Sequence, residues 1–235
     1  MDRARFTQFF RTGCAQIIPH SPDVKEKEKT EIMENTENMK RNVNIEEIME
    51  FNRRFVENKE YEEFKADKFP EKKLAILSCM DTRLTRLLPA ALGLKNGDAK
   101  IIKNAGGVVT HPFGSVVRSL LVAIFELGVN EIMVIGHTDC GVQHLDADEV
   151  IEQLKERGIT KETIDMIRYC GVDFNKWLSG FDTVDNSVSE TVHRLRTHPL
   201  MPADVTINGY VMDSVTGALR PVNEAEEDHD GACYR

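Results

Sequence analysis

Two short apolar runs constrain what this chain can become. Leu74-Ala75-Ile76-Leu77 and Ile132-Met133-Val134-Ile135 both read as strands. Between them, Gly114 to Leu127 carries Val116, Val117, Leu120, Leu121, Ile124 and Phe125 and is apolar almost all round. That pattern predicts a helix buried on several sides. Lys100 to Lys103 supplies a further short strand, so strands and helices alternate. Such alternation predicts an α/β fold with a mainly parallel central sheet flanked by helices.

The rest of the chain extends this pattern. Asn44-Ile45-Glu46-Glu47 resembles a capping box, and Ile48, Phe51 and Phe55 follow at helical spacing up to about Ala66. Asp148 to Arg157 and Lys161 to Arg168 read as surface helices. Ser187-Val188-Ser189-Glu190 reads as another capping box, with Val188, Val192 and Leu195 on one face and Pro199 beyond the end. Val205 to Met212 is a strand. Asp213-Ser214-Val215-Thr216-Gly217 then turns it into a final strand, Ala218 to Val222, predicting an antiparallel edge.

The ends look different. Residues 1–43 contain a mixed-charge stretch, Val24 to Asn42, with few apolar side chains, and read as a disordered or loosely attached extension or a partner-binding arm. Cys14 there has no nearby ligand partner. The tail 223–235 is acidic and reads as mobile, which leaves 44–222 as the expected ordered domain. With 39 acidic and 30 basic side chains and a formal charge of -9, the chain has no basic block to grip a phosphate backbone, so nucleic acid is not an expected partner. No apolar stretch approaches the roughly 20 residues a membrane helix needs, and none is expected. Met1 to Pro19 lacks an apolar segment adequate for a signal peptide. Five widely spaced cysteines in a chain of this size then point to reduced thiols and a cytoplasmic setting.

Both apolar runs end in chemistry. The first opens into Cys79-Met80-Asp81-Thr82-Arg83, the second into Gly136-His137-Thr138-Asp139-Cys140-Gly141. In open α/β sheets, ligands gather outside the carboxyl ends of strands. Two thiolates and one imidazole favour zinc and exclude hard cations. Three protein ligands is the number a catalytic zinc uses when its fourth position stays open. Asp81, held by a bidentate Arg83, becomes either an oriented acceptor beside that position or, if released, a fourth ligand closing it.

The pair of motifs, Cys79-x-Asp81-x-Arg83 and His137-x-x-Cys140, closely resembles the β-class carbonic anhydrases. The likeness continues through Asn104-Ala105-Gly106-Gly107, Ile207 to Asp213 and Thr216-Gly217, and so spans residues 45–222. The resemblance implies one zinc ion per chain on Cys79, His137 and Cys140, with Asp81 and Arg83 as the catalytic dyad. It also implies that the N–H of Gly141 helps to position substrate. The implied fold is a four-stranded parallel core extended by an antiparallel strand, built into a homodimer or dimer-based oligomer. The implied reaction is attack of zinc-bound hydroxide on CO2, giving bicarbonate, with Asp81 and Arg83 orienting the nucleophile. Where the plant-type branch carries a glutamine before the first zinc cysteine, this chain has Pro70, and it therefore looks more like the compact prokaryotic branch. That branch also includes enzymes resembling COS and CS2 hydrolases, an alternative on the same zinc site. A non-catalytic zinc-bound interaction module is a further alternative, but it would gain nothing evident from the dyad.

Charge sets one more expectation. Zn2+ with two thiolates and a neutral imidazole sums to zero, whereas three imidazoles leave +2. The neutral centre acidifies bound water less, so activity should climb on the alkaline side of neutrality. Other residues draw plainer readings. Gly106-Gly107 lacks a Walker lysine and reads as a tight turn beside the metal. Asp139 reads either as an acceptor orienting His137 or as an exposed loop carboxylate. His111 and His144 are solvated or structural imidazoles, or proton shuttles. Cys170 reads as packing, and Trp177 as core or interface.

Overall fold

The computed structural model describes residues 44–222. The expected N-terminal extension, with Cys14, and the acidic tail lie outside the described residues. The chain divides into two compact units, one running to Tyr61 and the other from Glu62 onward. In the first, Ile45–Glu57 forms helix α1. The Asn44 side chain accepts hydrogen bonds from the N–H groups of Glu46 and Glu47 at 3.0 and 3.3 Å, satisfying two donors that a helix start leaves open. Helical spacing continues to Ala66, yet the helix stops at Glu57. Asn58 caps it, and Lys59 turns left-handed at φ 57°.

The second unit holds one sheet of five strands: β1 (Leu74–Cys79), β2 (Ala99–Asn104), β3 (Glu131–His137), β4 (Thr206–Met212) and β5 (Leu219–Pro221), in the order β2-β1-β3-β4-β5. β2, β1, β3 and β4 run parallel, and β5 returns antiparallel on β4. The Asp213 carboxylate builds that return by accepting from the N–H groups of Val215 and Thr216 at 3.0 and 2.7 Å. This is the mainly parallel sheet with an antiparallel edge that the alternation predicts.

Helices α2 (Leu84–Ala91), α3 (Ser115–Phe125), α4 (Ala147–Glu156), α5 (Lys161–Tyr169), α6 (Phe174–Leu178) and α7 (Val184–Arg196) follow in the same unit. The period-2 side-chain alternation of a strand divides the core into two layers. Ala75, Leu77, Ile132 and Val134 pack with Val117 and Leu120 of α3 and with Val188, Val192 and Leu195 of α7. Leu74, Ile76 and Ile135 pack on the other side with Leu84 and Leu88 of α2, in the same cluster as Cys79 and Cys140. All six residues of β1 are therefore buried, as expected of a central parallel strand covered on both faces. Each fully buried Leu or Ile contributes about 1.5–3 kcal/mol, so these layers form a rigid platform for whatever sits at the strand ends. α7 approaches closely because Gly136 of β3 has no side chain: a Cβ there would lie 2.7 Å from methyl groups of Val184 and Val188.

One capping expectation needs correction. Ser187 does not start a helix. α7 begins three residues earlier, capped by Thr183, whose hydroxyl accepts from the N–H of Asn186 at 3.2 Å, and Ser187 is buried inside the helix. The sequence pattern does not mark α2 or α6, since Pro89 interrupts the first and the second has only five residues. Of the two readings of Trp177, core or interface, the core one does not hold: the side chain is 62% exposed, beside Phe174.

Candidate active site

Cys79 ends β1 and His137 ends β3. Because these neighbours run parallel in the register Ser78↔Ile135, both side chains emerge at one edge of the sheet. Cys140 joins them from the loop after β3. One ligand atom from each of Cys79, His137 and Cys140 lies within 4.8 Å of the other two, and all three residues are buried. The two sulfurs are 3.8 Å apart and both thiols are free.

The donor set fits zinc. Sulfurs about 2.3 Å from a tetrahedral zinc stand about 3.8 Å apart, which matches the spacing here. His137 is prepared in the same sense. Its Nδ1 lies 2.9 Å from the Thr138 carbonyl, which can only accept, so the proton sits on Nδ1 and Nε2 keeps its lone pair. That Nε2 is buried with no hydrogen-bond partner. An orphaned buried polar atom costs about 1–3 kcal/mol, and a metal ion among the three donors would satisfy it.

Backbone geometry supports the sulfurs. Burial pushes the Cys79 thiol up, but His137 and the N–H groups of Asp81 and Gly106 outweigh it and bring its pKa down to about 7. Burial raises the Cys140 thiol, and the neighbouring Cys79 adds to the effect against the N–H groups of Val142 and Gln143. Burial also opposes charge on His137, yet the Cys79 sulfur and the Thr138 carbonyl hold its pKa above the ordinary value. Gly107 turns at φ 68° so tightly under Cys79 that a Cβ would lie 2.9 Å from the Cys79 nitrogen. The Gly106-Gly107 pair is thus the tight turn expected beside the donors.

Asp81 and Arg83 open α2 next to this cluster. Arg83 Nε donates to Asp81 Oδ1 at 3.0 Å and Nη2 to Oδ2 at 2.8 Å, while the Arg83 backbone N–H donates to Oδ1 at 2.8 Å. The Arg83 guanidinium holds the Asp81 carboxyl down at about 2. Asp81 Oδ2 lies 3.9 Å from His137 Nε2, so an ionised, clamped acceptor faces the donor triad.

Several features were not visible in the sequence. Lys103 Nζ donates to the Cys79 carbonyl at 3.0 Å, and burial lowers its pKa against the pull of Cys79 and Asp81. The Thr138 hydroxyl accepts from the Ser214 N–H at 3.0 Å, tying the ligand loop to the β4–β5 turn. The only sequence signal for either was proximity to a motif. Asp139 does not orient His137: its carboxylate goes to Arg83 Nη1 at 2.7 Å, and the Thr138 carbonyl takes the ring nitrogen. His111 accepts from the Phe113 N–H at 3.1 Å. His144 sits with Asp146, Asp148 and Asp182 around a separate polar hollow. A Cβ at Gly141 would meet nothing within 4 Å, so space is open over that residue.

Comparison with known proteins agrees with this geometry. A family profile described as "Carbonic anhydrase" matches residues 74–219. YtiB of Bacillus subtilis (strain 168), named as a candidate carbonic anhydrase, is 52% identical over 175 residues, covering 74% of this chain and 94% of that protein. The crystal structure of a β-carbonic anhydrase isoform from Trichomonas vaginalis is 34% identical with a TM-score of 0.71, covering 78% of this chain and all of that one. A carbon disulfide hydrolase of Acidithiobacillus thiooxidans is 33% identical over 159 residues, covering 64% of this chain and 77% of that protein.

Proposed function

Because this chain belongs to the β-carbonic anhydrase family, we propose that it reversibly hydrates CO2 to bicarbonate and a proton at one zinc ion held by Cys79, His137 and Cys140. The observation that carries the proposal is the buried donor triad, with an unpaired His137 Nε2, set against a clamped carboxylate. When bound, zinc supplies Lewis-acid activation of water near neutral pH. The chain's own groups do the rest. Asp81, kept ionised by Arg83, accepts a hydrogen bond from the attacking water and fixes its lone pair toward carbon. The N–H of Gly141, beneath open space, helps to position a CO2 oxygen. Val142 and Phe181 pack against the apolar cluster that contains both cysteines, surroundings that suit an uncharged substrate.

The test is stopped-flow CO2 hydration with a pH indicator, on protein whose zinc content is assayed in parallel. We expect about one zinc per chain and a rate that climbs on the alkaline side of neutrality. A profile already flat from about pH 6 upward would defeat the neutral-centre argument. Zinc present without hydration would move the assignment to a second reading, hydrolysis of COS or CS2, which the carbon disulfide hydrolase relative favours. Hydrogen sulfide release from CS2 distinguishes it.

Assembly as a homodimer is part of the same proposal. Phe113 and Phe125 are 70% and 66% exposed and line an apolar groove of about 310 Å³ along α3, flanked by Arg118 and Glu126. Opposite charges beside one apolar patch suit a self-complementary contact between two copies. Phe125→Glu is expected to yield a monomer in sedimentation. An unchanged sedimentation coefficient would place the interface elsewhere. Free thiols at Cys79, Cys140 and Cys170 fit a reducing cytoplasm, and among the described residues no helix is long and apolar enough to cross a membrane.

A further inference from the structure

Asp139 stands between two of the donor residues and has no task in the reading above. Its backbone is left-handed, φ 54°, a region where a β-carbon is crowded and which Asp and Asn tolerate better than most. Its side chain is 86% exposed, so an ion pair there adds little to stability. Yet the contact with Arg83 is double. Nη1 donates to Asp139 Oδ2 and Nη2 donates to the Asp139 carbonyl, both at 2.7 Å. Nε and Nη2 of the same guanidinium hold the two Asp81 oxygens. A planar guanidinium can serve two such partners only in one orientation.

We propose that Asp139 is a positioning residue for the dyad: it fixes the plane of Arg83 and, through Arg83, aims Asp81 at the donor triad. Its kinetic consequence rests on the CO2-hydration reading; the geometric part does not. The left-handed turn between His137 and Cys140 is what lets one residue offer both its carboxylate and its carbonyl to Arg83. Without the carboxylate, Nη1 of a side chain already 38% exposed faces water. Arg83 then has several orientations instead of one. Asp81 loses its fixed partner, and its Oδ2 can turn across the 3.9 Å that separates it from His137 Nε2.

Two variants separate the carboxylate from the backbone. Asp139→Gly takes the left-handed conformation without strain and removes only the side chain. Asp139→Asn also tolerates that conformation and keeps an acceptor oxygen. Two readouts are taken on full-length, zinc-loaded protein: the rate of phenylglyoxal modification at Arg83, mapped by mass spectrometry, and kcat and KM for CO2. Arg220, paired with Asp185 on both oxygens, is the internal reference for modification.

D139G is expected to react severalfold faster at Arg83, with Arg220 unchanged, and to lose about tenfold in kcat with KM nearly constant. D139N should recover most of both. An unchanged Arg83 rate in D139G would overturn the proposal, as would faster modification with kcat intact. D139N as impaired as D139G would also overturn it, since charge rather than positioning would then be at work. If the wild type shows no CO2 hydration, the functional reading fails by itself. The modification rates still decide this inference: faster in D139G supports it, unchanged overturns it.

Discussion

Cys140→Ser is expected to remove the metal and the activity together. Serine keeps the size and the buried position but exchanges a soft thiolate for a hydroxyl that does not ionise near neutral pH and is a poor zinc ligand. The remaining donors, Cys79 and His137, come from different strands, and two ligands do not hold zinc through purification. Zinc should fall from about one per chain to under about a tenth. CO2 hydration should fall at least about a thousandfold, toward the uncatalysed rate. The fold should survive, because Cys140 lies in a loop outside the strands and helices, and serine nearly keeps its volume in the apolar layer it shares with Cys79. Circular dichroism would confirm the sheet and helices, and metal analysis would confirm the loss. A Cys140→Ser protein that retained stoichiometric zinc would remove Cys140 from the ligand set.

Asp81→Ala is expected to give the opposite split, with zinc retained and hydration cut by roughly a hundredfold. The three donors do not need Asp81 for their spacing, whereas in the proposed reaction the nucleophile would lose its acceptor. The pH dependence refines the test. Arg83 depresses the Asp81 carboxyl to about 2, so its charged form persists as pH falls until that range. By the same sign, any stability from the pair is complete above the ordinary carboxylate value of 3.8 and is lost only as pH drops through about 2. The alkaline climb in activity therefore cannot come from Asp81. The variant should keep the shape of the wild-type profile at lower amplitude. If the climb vanished in Asp81→Ala, the titration would belong to Asp81 and the assignment of the dyad would have to change.

What the sequence disclosed and what it hid follow from distance along the chain. β1 and β3 were legible because each is a local apolar run ending in a local motif. Their pairing could be inferred because alternating strands and helices leave few topologies. α7 shows the weakness of a local signal. Ser187-x-x-Glu190 satisfies a capping pattern, but Thr183 takes the role, since Val184 and Val188 must both reach the glycine-relieved surface of β3. Pro89 hid α2 in the same way: its missing N–H reads as a stop, although α2 continues past it to Ala91. At the candidate site, Cys79, Asp81, Arg83, His137 and Cys140 are all marked by spacing. The partner of Asp139 was not, because Arg83 lies 56 positions away and no local pattern encodes a guanidinium shared between two loops. Lys103 was invisible for the same reason, as its acceptor is a carbonyl on the neighbouring strand.

The division of the donors between β1 and β3 has a consequence for how the protein matures. Cys79 and Cys140 are separated by 61 positions, so in an unfolded chain their encounter is rare and only the His137–Cys140 pair remains as a weak local chelate. A metal held by these donors would therefore bind the unfolded chain poorly and the native chain well. Nearly all of its binding energy then appears as resistance to unfolding. During refolding, the site cannot assemble before the long-range parallel pairing of β1 with β3, a slow class of contact to form. Metal capture by these donors would then serve as a clock for that step: the optical signal of added cobalt should rise only as the central sheet closes.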